Sequence, residues 1–282
     1  MSRIVDAQLH VGPFNGVPRG QSNFSADPSQ AYPVLTGEQA EQEMTRAGVD
    51  AAVLMPVSAR HGGSNSYVID VAQRAPGRFC AMAVPNPLDR SETERLIDFW
   101  SAEVPAVRGI RLGFLYEPLR SVFRSAELEW LWALLSRKGL PLAVHAEGNL
   151  DVVDRIGREF PELRIAVDHC GLRGNNTGAD LHERLAPLMK LARLGNVSTK
   201  LSAFTLQTHE AYPYRDLHRP VADIVAAFGS DRVFWGSDLS RLTTPYADEV
   251  SYVEQALTGY SKTEVANVMG DALCEWLNWR IE

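Results

Sequence analysis

The feature that most constrains this chain is an alternation. Eight short apolar runs lie near residues 3–10, 50–56, 78–84, 107–113, 140–146, 163–169, 196–202 and 232–238. They are rich in Val, Ile, Leu and Phe and bounded by Gly, Pro or polar residues, which predicts strands. Longer segments near 37–47, 65–75, 92–103, 126–138, 150–159, 181–194, 217–228, 246–258 and 262–277 predict helices between and after them. Strands alternating with helices form a parallel sheet. Eight such units predict closure into a (β/α)8 barrel of the TIM type, in the α/β class. The rival, an open doubly wound sheet, normally carries a Gly-rich phosphate loop after its first strand. That position reads Gly12-Pro13-Phe14-Asn15-Gly16, which has no such pattern.

Helix punctuation supports the reading. Thr36-x-x-Gln39, Ser91-x-x-Glu94 and Ser261-x-x-Glu264 are capping-box patterns. Gly48, Gly139, Gly195 and Gly229 stand where left-handed C-caps are wanted. A chain of 282 residues suits one α/β barrel, and no composition break divides it, so residues 1–282 are expected to form a single domain. Two connections, 12–35 and 203–215, are long, and both follow strands. They are expected as lid loops on the carboxyl face, where barrel active sites lie. Residues 262–282 are expected to hold a C-terminal helix.

Charge narrows the partners. Lys and Arg number 28 against 35 Asp and Glu, a net charge of −7, with both signs scattered. Nucleic acid and anionic membranes are therefore poor partners, and a small molecule is the expected ligand. Apolar runs such as Ala51–Val57 are strand-sized, and Asp6 falls where a signal peptide would carry its apolar stretch. The three cysteines, Cys80, Cys170 and Cys274, are far apart and form no CxxC pair. A reduced, cytoplasmic protein is the expectation.

The chemistry is expected at strand ends. Regular alternation puts Asp6, Gln8 and His10 on one face of the first strand and Val5, Ala7 and Leu9 on the other. With the apolar set against the helices, the polar set would point into the barrel. His145 ends the fifth strand, His169 the sixth and Asp238 the eighth. A lone histidine at a strand end is usually a satisfied core residue; convergence of several at one rim is the specific signal. Arg111 stands between Gly109 and Gly113 on one face of the fourth strand, with room to reach a substrate carboxylate or lactone oxygen with its fixed fork. Asn65 and Tyr67, at the start of a helix, are candidates to hold an oxyanion or else to cap that helix. Lys200 is a candidate to pair with Asp6 or Asp238 or to orient substrate. Arg241 and Arg215 are lid candidates, and Arg241 is a candidate to bind substrate.

This constellation resembles the amidohydrolase superfamily, and within it the amidohydrolase-related branch of lactonases and metal-dependent decarboxylases. The carrying motifs are Val5-Asp6-Ala7-Gln8-Leu9-His10, Asn65-Ser66-Tyr67, Ala75-Pro76-Gly77-Arg78-Phe79, Gly109-Ile110-Arg111, Val144-His145-Ala146, Val167-Asp168-His169-Cys170-Gly171, Lys200-Leu201-Ser202 and Phe234-Trp235-Gly236-Ser237-Asp238. The resemblance implies a divalent-metal site of His10, His145 and Asp238, taking Zn or Mn, with no organic cofactor. The family's usual first-strand His-x-His is Gln8-x-His10 here, and an amide is a poorer Zn ligand than imidazole. The resemblance thus allows a weakened three-ligand site or none.

The function expected is hydrolysis of a small carboxylated or cyclic ester substrate, as in a lactonase. Asp238 would activate water, and His169 would hold or protonate the developing oxyanion or leaving oxygen. The alternatives are metal-dependent non-oxidative decarboxylation and a barrel that binds a small molecule without turnover. Barrels of this kind are often homo-dimers.

Overall fold

The structure, a computed structural model, describes residues 3–12, 35–57, 64–172, 180–242 and 244–281. Most of the expected lid at 12–35 lies outside the described residues. Eight parallel strands neighbour one another in chain order: β1 (Val5–His10), β2 (Ala51–Met55), β3 (Phe79–Ala83), β4 (Val107–Gly113), β5 (Leu142–His145), β6 (Ile165–Val167), β7 (Val197–Ser202) and β8 (Val233–Gly236). Around them stand α1 (Gly37–Ala47), α2 (Asn65–Arg74), α3 (Arg90–Glu103), α4 (Leu119–Arg124), α5 (Glu129–Lys138), α6 (Leu150–Glu159), α7 (Leu181–Leu191), α8 (Arg215–Phe228) and α9 (Tyr246–Ala256). This is the expected single-domain TIM barrel. Among the described residues no helix is long and apolar enough to cross a membrane.

Alternation sorts the strand side chains into two layers. Ala52, Leu54, Ala81, Leu142, Val144, Ile165 and Val167 pack outward among the helices, while Val53, Met55, Cys80, Met82, Ala143, Ala166 and Phe234 fill the barrel. β1 breaks this parity, and the expectation for Asp6 is corrected. Val5 and Asp6 pair with Ala51 and Ala52, but Leu9 and His10 pair with Leu54 and Met55. Ala7 and Gln8 therefore both stand opposite Val53, a β-bulge with one extra residue on β1. Ala7 joins Val5 in the interior cluster, and Leu9 packs outward. Asp6 turns outward as well: its carboxylate accepts from the Tyr246 hydroxyl at 2.6 Å, and that ring lies against outward-facing Trp235.

The bulge also explains how the barrel shuts. Asp6 Oδ1 accepts the Gln8 N–H at 2.8 Å and the Ser237 N–H at 2.9 Å, and Oδ2 accepts the Ser237 hydroxyl. The Asp238 N–H donates to the Gln8 carbonyl at 2.9 Å. One buried carboxylate thus satisfies the donor freed by the bulge and ties the first strand to the last. A Cβ on Gly236 would meet Asp6 Oδ1 and the Gln8 nitrogen at 3.2 Å each, so a glycine suits this crowded seam.

The far end of the barrel is plugged by the C-terminal segment. The expected helix over 262–277 is interrupted: α10 (Lys262–Ala266) and α11 (Ala272–Trp276) flank a wide turn, Asn267–Asp271. Gly270 passes so close to β1 that a Cβ would lie 2.7 Å from Val5 Cγ2. That approach lets Ala272, Leu273, Trp276, Leu277 and Trp279 cover Val5, Ala51 and Phe234. Each fully buried large side chain there contributes roughly 1.5–3 kcal/mol.

Two further details differ from the sequence reading. α3 starts at Arg90 with Asp89 as its cap, accepting the Glu92 N–H at 3.0 Å, and Glu94 pairs with Arg90 instead of boxing Ser91. The short α4 falls in the β4–α5 connection, where no cap signalled it. The capping boxes at Thr36 and Ser261 form as expected.

Candidate active site

Functional side chains gather at the carboxyl ends of the strands. β6, β7 and β8 end in tight left-handed turns at non-glycine residues: His169 (φ 54°), Cys170 (φ 55°), Ala203 (φ 49°) and Asp238 (φ 51°). Each costs on the order of 1–3 kcal/mol and persists because the surroundings fix it. Cys170 Sγ donates to the Lys200 carbonyl at 3.4 Å, and the Ala203 N–H donates to the Ser237 carbonyl at 3.2 Å. These turns set His169 and Asp238 over the barrel mouth.

Asp238 is the hub. It is fully buried, with Oδ1 3.5 Å from His10 Nε2 and Oδ2 3.7 Å from His169 Nε2 and 3.4 Å from Arg241 Nη1. His10 Nδ1 lies 3.2 and 3.1 Å from the carbonyls of Met55 and Pro56. Carbonyls only accept, so Nδ1 carries a proton, and Nε2 is the ring nitrogen that faces Asp238. Burial pushes His10 below the usual imidazole range, and the Asp238 carboxylate offsets this only in part. His145 packs edge-on against His169, ring centroids 4.8 Å apart. His169 is held well below the usual range by burial first, then by His145 and Arg241.

A second group lies deeper. Asp168 is fully buried between Lys200 Nζ and Arg111 Nε, both at 3.0 Å. Burial alone would raise its pKa, but Lys200 and Arg111 outweigh burial and hold Asp168 far below the carboxylate range. Burial lowers the Lys200 pKa, with Asp168 opposing it. Lys200 therefore does not take the expected partners Asp6 or Asp238; besides Asp168 it reaches Gln8 Oε1 at 3.5 Å. Asp168 occupies only Nε of Arg111, and among the described residues both terminal nitrogens of the fork are left for a ligand.

The structure thus brings together His10, Arg111, His145, His169, Lys200, Asp238 and Arg241, the last with a side chain only 10% exposed. Asn65 and Tyr67 bond to neighbouring backbone. Asn65 exchanges both ends of its amide with the Val84 backbone, at 2.7 and 2.9 Å, and the Tyr67 hydroxyl accepts the Gly37 N–H at 3.2 Å. Both are ties within the frame. The 203–215 connection is packed at its two ends, where Phe204 and Tyr214 are buried, Thr205 donates to Glu249 at 2.7 Å and Arg215 begins α8, while 209–212 between them is exposed. Sequence reading missed Asp168, whose signal was its place beside His169 between two interior cations.

The amidohydrolase family model matches residues 5–272, nearly the whole chain. The chain belongs to the amidohydrolase family. A search of curated proteins returned no match. Among solved structures, this amidohydrolase is similar to one from Burkholderia multivorans with bound zinc, at 17% identity, covering 99% of this chain and 100% of that one, with a TM-score of 0.79. It is also similar to a probable 2-pyrone-4,6-dicarboxylic acid hydrolase from Acinetobacter baumannii with citric acid bound, at 16% identity, 99% and 100% coverage and a TM-score of 0.71. The 5-carboxyvanillate decarboxylase of Sphingomonas paucimobilis matches at 15% identity with the same coverages and a TM-score of 0.71.

A resident zinc fits this amidohydrolase poorly. Among the described residues no group of three His, Cys, Asp or Glu is placed to hold an ion. The position that would complete the usual pair on β1 is Gln8, whose oxygen faces the Lys200 ammonium. Two carboxylates, Asp168 and Asp238, already face three fixed cations, Arg111, Lys200 and Arg241. A further dication would add to that positive excess.

Proposed function

We propose that this amidohydrolase hydrolyses a small carboxylated cyclic ester, and that it does so without a resident metal. The observation that carries the reading is the buried pair His10 Nε2 and Asp238 Oδ1, 3.5 Å apart at the barrel mouth, which are two acceptors when His10 is neutral. A water that donates one hydrogen to each is held with a lone pair free for a carbonyl carbon. Asp238 takes a proton from that water as it attacks. Arg241, beside Asp238, faces the charge that develops on the carbonyl oxygen, which a fixed cation in a dry site stabilises strongly. Collapse of the tetrahedral intermediate breaks the ring C–O bond, and Asp238 returns its proton to the leaving oxygen. The two terminal nitrogens of Arg111 suit a substrate carboxylate in bidentate fashion.

The experiment is a panel of lactones and aromatic carboxylic acids, followed by ring-opening and by CO2 release, with wild type beside Asp238→Asn. Lactone opening that is lost in the variant supports the proposal. CO2 release from the carboxylic acids, with no lactone opening, replaces it with decarboxylation. Tight binding without any turnover leaves a binding barrel.

A further inference from the structure

The residue that departs from the family pattern, Gln8, sits between a cation and a histidine. Lys200 Nζ is 3.5 Å from Gln8 Oε1, Gln8 Nε2 is 3.3 Å from His169 Nε2, and His169 Nδ1 is 2.8 Å from Ser202 Oγ and 3.2 Å from the Ser202 carbonyl. All four side chains are buried.

Donor and acceptor chemistry fixes this chain in one sense. An ammonium only donates, so the end of the Gln8 amide facing Lys200 is its oxygen. The other end is then NH2, which also only donates. The His169 nitrogen that faces it must accept, so Nε2 is bare. The ring proton is left on Nδ1, where the Ser202 carbonyl and hydroxyl can receive it. Asp168 anchors the start of the chain by holding Lys200 at 3.0 Å.

We infer that Gln8 and Lys200 are positioning residues that set the tautomer of His169, with the proton on Nδ1 and Nε2 accepting from the Gln8 amide. The one lone pair of Nε2 is then taken by the Gln8 amide, and His169 holds no ring proton toward the mouth of the barrel. It does not donate a proton to an oxyanion from Nε2 in the resting site, which reverses the role expected from the sequence. A carboxylate at position 8 would present an acceptor where the amide presents a donor.

The test reads nitrogen chemistry and needs no substrate, so its outcome is separate from that of the proposed hydrolysis. The full chain is labelled with 15N in its histidine rings. Long-range 1H–15N correlation spectra are recorded near neutral pH, with His169 assigned by the signals lost in His169→Gln. Wild type is expected to show Nδ1 in the N–H range and Nε2 in the bare-nitrogen range. Gln8→Glu is expected to move Nε2 into the N–H range, and Gln8→Asn, which keeps the amide on a shorter stem, is not. A wild-type His169 carrying its proton on Nε2 overturns the inference, whether or not the variants fold. So does a Gln8→Glu spectrum identical to wild type.

Discussion

Asp6 and Ser237 are 231 residues apart in the chain and joined by a 2.9 Å hydrogen bond from the Ser237 N–H to Asp6 Oδ1. The same oxygen takes the Gln8 N–H, so one carboxylate fixes the bulge that turns Gln8 inward and the strand end that carries Asp238. Replacing Asp6 by Ala leaves buried donors unmet, each costing about 1–3 kcal/mol. The denaturant midpoint should fall accordingly. In a double-mutant cycle with Ser237→Ala the two sites should couple by roughly 0.5–3 kcal/mol. Additive effects would mean that the seam is held by other contacts.

Asp168 gives a second stability prediction. Its substitution by Asn strands the buried Lys200 ammonium, and breaking such a pair from one side costs about 3–5 kcal/mol. Lys200→Met together with Asp168→Asn should recover part of that loss. The pH dependence follows from the direction of the shift. Asp168 is depressed in the fold, so its contribution is present above the unfolded value near ~3.9 and drains away as pH falls below it. Acid unfolding of the double variant should therefore be shallower than that of wild type below about pH 4. Parallel curves would remove Asp168 from the account.

Asp238→Asn keeps the shape of the hub and removes its basicity. On a substrate that wild type turns over, kcat should fall at least ~10²-fold, the usual size of a positioned acid or base. Near-wild-type turnover in a folded variant would move the base elsewhere.

Arg111→Lys preserves a cation beside Asp168 but loses the terminal fork. KM for a carboxylated substrate should rise more than kcat falls, because the lost contact is made in ground and transition state alike. An ester lacking the carboxylate should show little difference between the two proteins, and an equal loss on both would contradict a carboxylate-gripping role.

Much of this was legible in the sequence, for physical reasons. Short β-branched runs between capped helices can close in few ways, so the barrel and the rim positions of His10, His145, His169 and Asp238 followed from spacing. The face of Asp6 did not, because counting by twos assumes a regular strand, and one extra residue between Asp6 and Leu9 inverts the count. Asn65 read as a ligand group because its type suits one, yet both ends of its amide are taken by Val84. The break at Gly270 depends on contact with Val5 from the other end of the chain, which local helix propensity does not register. Arg241 reads as a lid residue in the sequence, and the left-handed turn at Asp238 brings it onto the carboxylate.

The proposed hydrolysis relies on the chain's own acceptors and cations. It is tested most directly by measuring lactone opening with protein dialysed against chelator, with bound metal quantified in the same sample. Turnover is expected to be undiminished at far less than one metal per chain, with no stimulation when Zn²⁺ or Mn²⁺ is returned. Activity that vanishes with the metal and comes back with it would overturn the metal-free reading.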